Sequence, residues 1–163
     1  MDKRAHKERY DAGLKTRREV LGAQYVDKAM AAADDFSKPF VELLNTYCWN
    51  DIWNRPGLDR KTRSMLNLAM LSALGKEHEL KLHLNGALNN GLTKEQIREV
   101  LLQVAIYCGV PAGVVAFRCA REVFKERGEW TRSGPSRSSA WARWAGRCLP
   151  TWRRPASPCA ATT

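Results

Sequence analysis

The stretch Asn89-Asn90-Gly91-Leu92-Thr93-Lys94-Glu95-Gln96-Ile97-Arg98-Glu99-Val100-Leu101 closes one helix and opens the next within a few residues. Gly91 supplies the left-handed residue that ends a helix without a side-chain clash. Thr93 to Gln96 spell a capping box, in which the Thr and Gln side chains satisfy each other's free backbone N–H groups. After it, Ile97, Val100, Leu101, Val104, Ala105 and Cys108 follow the i, i+3, i+4, i+7 spacing of a core-facing helix. A helix–turn–helix is written here, and similar signals extend in both directions.

Towards the N-terminus, residues 3–21 are charge-rich and amphipathic, and a short helix is predicted over 27–34. Ser37 reads as an N-cap, with Pro39 in the first turn of a helix that runs towards Trp49 and Trp53 and breaks at Arg55-Pro56-Gly57. Asp59 caps the next helix. Within it Met65, Leu66, Leu68, Ala69, Met70, Leu71, Ala73 and Leu74 are apolar around most of the circumference. That pattern predicts a helix buried on nearly every side, with neighbouring subunits covering it. Gly109-Val110-Pro111 starts a last helix that stops at Gly128. No stretch alternates as a strand, so the expected fold is all-α: a single-domain helical bundle, oligomeric, with successive helices antiparallel.

A chain of 163 residues with 44% hydrophobic content suits one domain with a real core. No apolar run approaches the roughly 20 residues needed to span a bilayer, and the opening MDKRAHKERYD lacks the apolar centre of a secretory signal. A cytoplasmic protein with no membrane partner is expected. The five cysteines form no CxxC pair, which argues for reduced thiols rather than a disulfide framework or structural zinc. The net charge of +10 suggests nucleic acid until it is located: residues 127–163 carry +6 of it. That tail also holds Trp130, Trp141, Trp144 and Trp152 and no helical or strand period. Two regions follow, a helical domain over 1–126 and a low-order Arg/Trp/Pro/Ser-rich tail over 127–163. The tail has the composition of a GC-rich coding sequence read in a shifted frame, and no nucleic-acid partner is expected.

Glu77-His78-Glu79-Leu80-Lys81-Leu82-His83 concentrates the chemistry, since two of the three histidines lie there beside carboxylates. Glu79 and His83 stand four apart, so on a helix they share a face and the carboxylate can orient the imidazole. This makes His83 the candidate acid/base residue and Glu79 its partner. A metal is not expected, because His78 and His83 diverge by about 140° around a helix. No glycine loop suited to cradling a phosphate is present. Cys48, Cys108 and Cys119 lie in apolar stretches that read as packing.

Four separated motifs carry a family resemblance: Cys48 to Asp59 (CWNDIWNRPGLD), Thr62-Arg63-Ser64, Leu82-His83 with Gly86 to Gly91 (GALNNG), and Ile97 to Ala112 (IREVLLQVAIYCGVPA). Over roughly residues 5–126 the chain resembles the carboxymuconolactone decarboxylase family, within the alkylhydroperoxidase-D-like superfamily. The resemblance implies a homo-oligomer, commonly a hexamer, acting without a cofactor on a lactone dicarboxylate. The implied reaction converts 4-carboxymuconolactone into the enol-lactone of 3-oxoadipate in the protocatechuate branch of the β-ketoadipate pathway. Peroxidase relatives in the superfamily place a CxxC pair before the histidine, where this chain has Lys76 and Glu79, so a thiol peroxidase-like redox protein is the lesser alternative. A noncatalytic basic helical binding module is another.

Loss of carbon dioxide next to an unsaturated lactone pushes charge onto the lactone oxygen, which then needs stabilising, and carbon needs a proton. His83 is the candidate proton donor. Arg63, one turn into a mostly apolar helix, is the candidate for bidentate binding of a substrate carboxylate. Trp49 is a candidate pocket wall, and Tyr107 a candidate donor to the lactone oxygen.

Overall fold

The computed structural model describes residues 2–129, and all of its regular elements there are helical. They are α1 (Lys3–Leu21), α2 (Ala23–Ala31), α3 (Lys38–Leu43), a π-helical segment (Leu44–Ile52), α4 (Arg60–Ala73), α5 (Glu77–Asn89), α6 (Lys94–Tyr107) and α7 (Val110–Glu126). The Arg/Trp-rich tail expected over 127–163 lies, beyond Glu129, outside the described residues.

Local signals explain most boundaries. Asp59 accepts a hydrogen bond from the Thr62 backbone N–H at 2.7 Å and opens α4. Both halves of the Thr93/Gln96 capping box are formed at the start of α6. Gly91 has φ 83° at the α5–α6 turn, and Gly109 has φ 95° before Pro111 enters the first turn of α7. After α7 the Glu129 N–H reaches back to the Phe124 carbonyl and Gly128 takes φ 67°, which closes the helix end.

Three expectations need correction. The helix predicted over 27–34 spans Ala23–Ala31 instead, because Gly22, at φ 91°, both ends α1 and starts α2. Ser37 stands at the N-cap position of α3, with Pro39 in the first turn, but its side chain caps no helix N–H. Its backbone is already helical, and the Asp34 carboxylate accepts from both its N–H (2.9 Å) and its hydroxyl (2.7 Å), so the turn begins earlier. The helix over 65–74 is not buried on nearly every side of the chain: Leu66, Met70 and Leu74 form an exposed stripe at i, i+4, i+8 while Leu68 is fully buried.

The π-helical segment is the feature that positions the site. Its wider turn is seen in the Trp53 N–H bonding to the Cys48 carbonyl five residues back, at 3.1 Å. Helix α1 packs along it at close range, since a Cβ on Gly13 would overlap the Asn45 carbonyl. Arg9 pairs with Asp51, Thr16 Oγ1 donates to Asn54 Oδ1 at 2.8 Å, and buried Arg17 donates to Asn45 Oδ1 at 3.2 Å.

Two apolar clusters flank α5. One, built on Leu68, Leu80, Leu84, Ile97, Leu101 and Val123, joins α4, α5, α6 and α7. The other joins α1 and α2 to the π-helical segment through Val20, Val26, Trp49 and Trp53. Helix α5 serves both, with Leu80 and Leu84 in the first and Leu82 packed against the second. His83 follows Leu82 in sequence, and its ring stacks with both tryptophans of the second cluster.

Candidate active site

Three rings form the heart of the site. Trp49 and Trp53 stack with centroids 4.8 Å apart, and His83 lies parallel to Trp49 at 6.2 Å and near-parallel to Trp53 at 6.4 Å. Trp49 and Trp53 are buried, at 3% and 5% exposure, so they present His83 with an apolar wall. Taking the imidazolium out of water disfavours it, and this lowers the His83 pKa from 6.5 to about 4 against the opposing pull of the Glu79 charge. At neutral pH the resting ring is therefore uncharged.

Glu79 does not hold the ring by a hydrogen bond. It is exposed on the first turn of α5, and its influence on His83 is that of a nearby charge. The ring nitrogen Nδ1 instead meets Asn67 Nδ2, from α4, at 3.5 Å. Asn67 was not identified from the sequence. The available signal was its polarity, one turn after Arg63 on a helix otherwise rich in apolar residues.

Arg63 and Asn67, four residues apart on α4, share a helix face. Arg63 Nη2 donates to the Arg55 carbonyl at 3.0 Å, just beyond Trp53, whereas its Nε is sealed from solvent with no protein partner. Arg63 forms no ion pair with Asp59 four residues before it, because Asp59 is engaged in capping α4. A buried guanidinium N–H without an acceptor costs free energy, and a carboxylate is the acceptor that suits it best. The structure thus gathers Trp49, Trp53, Asn67 and His83, with Arg63 one turn away. Tyr107 stands at the end of α6, 78% exposed, and makes no hydrogen bond with this group.

Two of the described thiols, Cys48 and Cys119, are set against redox chemistry. Burial raises the pKa of Cys48, beside Trp49, and also that of Cys119, so neither is poised as a thiolate. Among the described residues no cluster of three or more His, Cys, Asp or Glu side chains is arranged to hold a metal ion. No described helix is long and apolar enough to cross a membrane.

Residues 38–122, from α3 into α7, match the model of the carboxymuconolactone decarboxylase family. The chain is 42% identical over 121 residues to 4-carboxymuconolactone decarboxylase of Acinetobacter baylyi, covering 74% of this chain and 90% of that protein. It is 40% identical over 130 residues to nitrosuccinic acid decarboxylase of Metarhizium robertsii, covering 78% of this chain and 91% of that protein. The matched span contains the tryptophan pair, Arg63, Asn67 and His83. The chain belongs to the carboxymuconolactone decarboxylase family and, like these two relatives, is a decarboxylase.

Proposed function

We propose that this decarboxylase acts without a cofactor on 4-carboxymuconolactone, releasing carbon dioxide and forming the enol-lactone of 3-oxoadipate in protocatechuate catabolism. The observation that carries this reading is a neutral, half-buried His83 stacked beside Trp49 and Trp53, with the unpartnered Nε of Arg63 one helical turn from its contact Asn67. In the proposed reaction the bond from the ring to the departing carboxylate breaks. Its electron pair spreads through the conjugated lactone onto the carbonyl oxygen, and a proton from water adds to carbon. His83 donates a hydrogen bond to that oxygen as its charge grows. Arg63 holds a retained carboxylate, and the tryptophan wall disfavours the ionised group that must leave.

Glu79 tunes His83 through its charge, and Tyr107 belongs to the site only when a neighbouring subunit closes over the end of α6. The exposed Leu66, Met70 and Leu74 stripe supports self-association of this kind. The similarity to a nitrosuccinic acid decarboxylase supplies a second reading with the same logic, since a nitro group can also accept the electron pair of a departing carboxylate. The test is an ultraviolet assay on freshly generated 4-carboxymuconolactone, run beside 2-nitrosuccinate. Turnover of the lactone alone supports the first reading, and turnover of nitrosuccinate alone replaces it.

A further inference from the structure

We propose that Asn67 is a positioning residue that holds His83 as the Nε2–H tautomer, so that His83 offers the substrate a neutral hydrogen-bond donor. This rests on the reading of His83 as the reacting imidazole. The geometry comes from two helices: Asn67 Nδ2 on α4 faces His83 Nδ1 on α5 at 3.5 Å. An amide NH2 is a donor only, so its partner nitrogen must carry a lone pair, which places the ring proton on Nε2. A charged ring would bring the Nδ1–H against the amide N–H, donor against donor, so the same contact disfavours the imidazolium.

Among the other neighbours Glu79 alone opposes this state, and burial outweighs its charge. Trp49, in the π-helical segment, and Trp53, just after it, stack with the ring through uncharged faces. On α5 itself Glu79 is the charged group that acts on His83, through its field and not through a hydrogen bond. On α4, Arg63 stands one turn from Asn67. Nε2 has no protein partner among the described residues, so its proton is free for a ligand. The lowered pKa of His83 runs in the same direction. Transition-state charge on a lactone oxygen is then met by an N–H held in place beforehand, with no prior protonation required.

The test is nitrogen-15 NMR of the full chain, with histidine labelled at both ring nitrogens, read at neutral pH. The expected result is a pyridine-like Nδ1 and a pyrrole-like Nε2 at His83. The reverse pattern, or an even mixture, would overturn the proposal even in fully active enzyme. Asn67→Leu is expected to give a tautomer mixture, and an unchanged spectrum there would also overturn it. In Asn67→Asp the carboxylate should draw the proton to Nδ1 and raise the midpoint of the His83 titration. Its kcat should drop roughly tenfold or more with little change in KM. The activity of His83→Ala reports separately on whether the imidazole is used at all, so failure of the two readings can be told apart.

Discussion

The Trp49 indole and the His83 imidazole lie parallel, with 1° between their planes and 6.2 Å between centroids. This pairing joins a π-helical segment to α5 and sets the electrical character of the site, because a buried indole face gives an imidazolium none of the solvation that water provides. Removing the indole in Trp49→Ala should admit water and move the His83 pKa from about 4 back towards 6.5, read by proton NMR titration of the ring. A midpoint that stays low would assign the depression to other groups.

Truncating His83 and Arg63 should separate two roles. His83→Ala is expected to lower kcat by at least about a hundredfold with the fold intact, since its N–H matters most as charge develops. Arg63→Ala should act mainly on KM, raising it by about tenfold or more, because the proposed ion pair with a retained carboxylate would form in ground and transition states alike. Steady-state kinetics on the lactone measures both, and equal losses in kcat for the two variants would contradict this division.

The same burial makes stability depend on pH. The unfolded chain protonates His83 near 6.5 and the folded chain only near 4, so between those values the unfolded state binds more protons and folding weakens as pH falls. The contribution is intact above about 6.5 and decreases by up to about 3 kcal/mol on reaching the folded midpoint. Urea unfolding at a series of pH values, with His83→Gln alongside, should show a shallower acid slope in the variant across that window. Parallel slopes would remove His83 from the acid response.

Gly13→Ala probes the support beneath the site. The new Cβ would fall on the Asn45 carbonyl and lie 3.0 Å from the Asn50 amide nitrogen, so α1 and the π-helical segment must separate. A loss of about 3 kcal/mol or more is expected. Weaker quenching contact between Trp49 and Trp53 should accompany it in tryptophan fluorescence.

Shortening the chain should show where the domain stops. A protein ending after Glu129 retains the Glu129–Phe124 backbone bond and the Lys94–Glu129 ion pair, and it should keep its melting temperature and activity. One ending after Glu126 loses both, along with the Arg127 bonds to Asn85 and Asn89, and should melt several degrees lower. Calorimetry of the two forms checks this, and equal melting temperatures would mean that these contacts add little.

The all-α class and the caps at Asp59, Thr93, Gly91 and Gly109 were legible in the sequence because each rests on local chemistry: a side chain reaching a backbone group a few residues away, or a φ that glycine tolerates. The candidacy of His83, Trp49 and Arg63 rested on residue type and helical spacing. Only the tertiary structure decided what these groups can do. An α-helical reading of 38–53 misses the π-turn that the close approach of Gly13 accompanies, and hence the alignment of two indoles with the imidazole. Spacing put Glu79 next to His83, yet the ring nitrogen meets Asn67 on another helix, and burial keeps the imidazole neutral. Local hydrogen bonding is encoded within a few residues. Desolvation and partner choice depend on which helices pack together, and no window of sequence contains that.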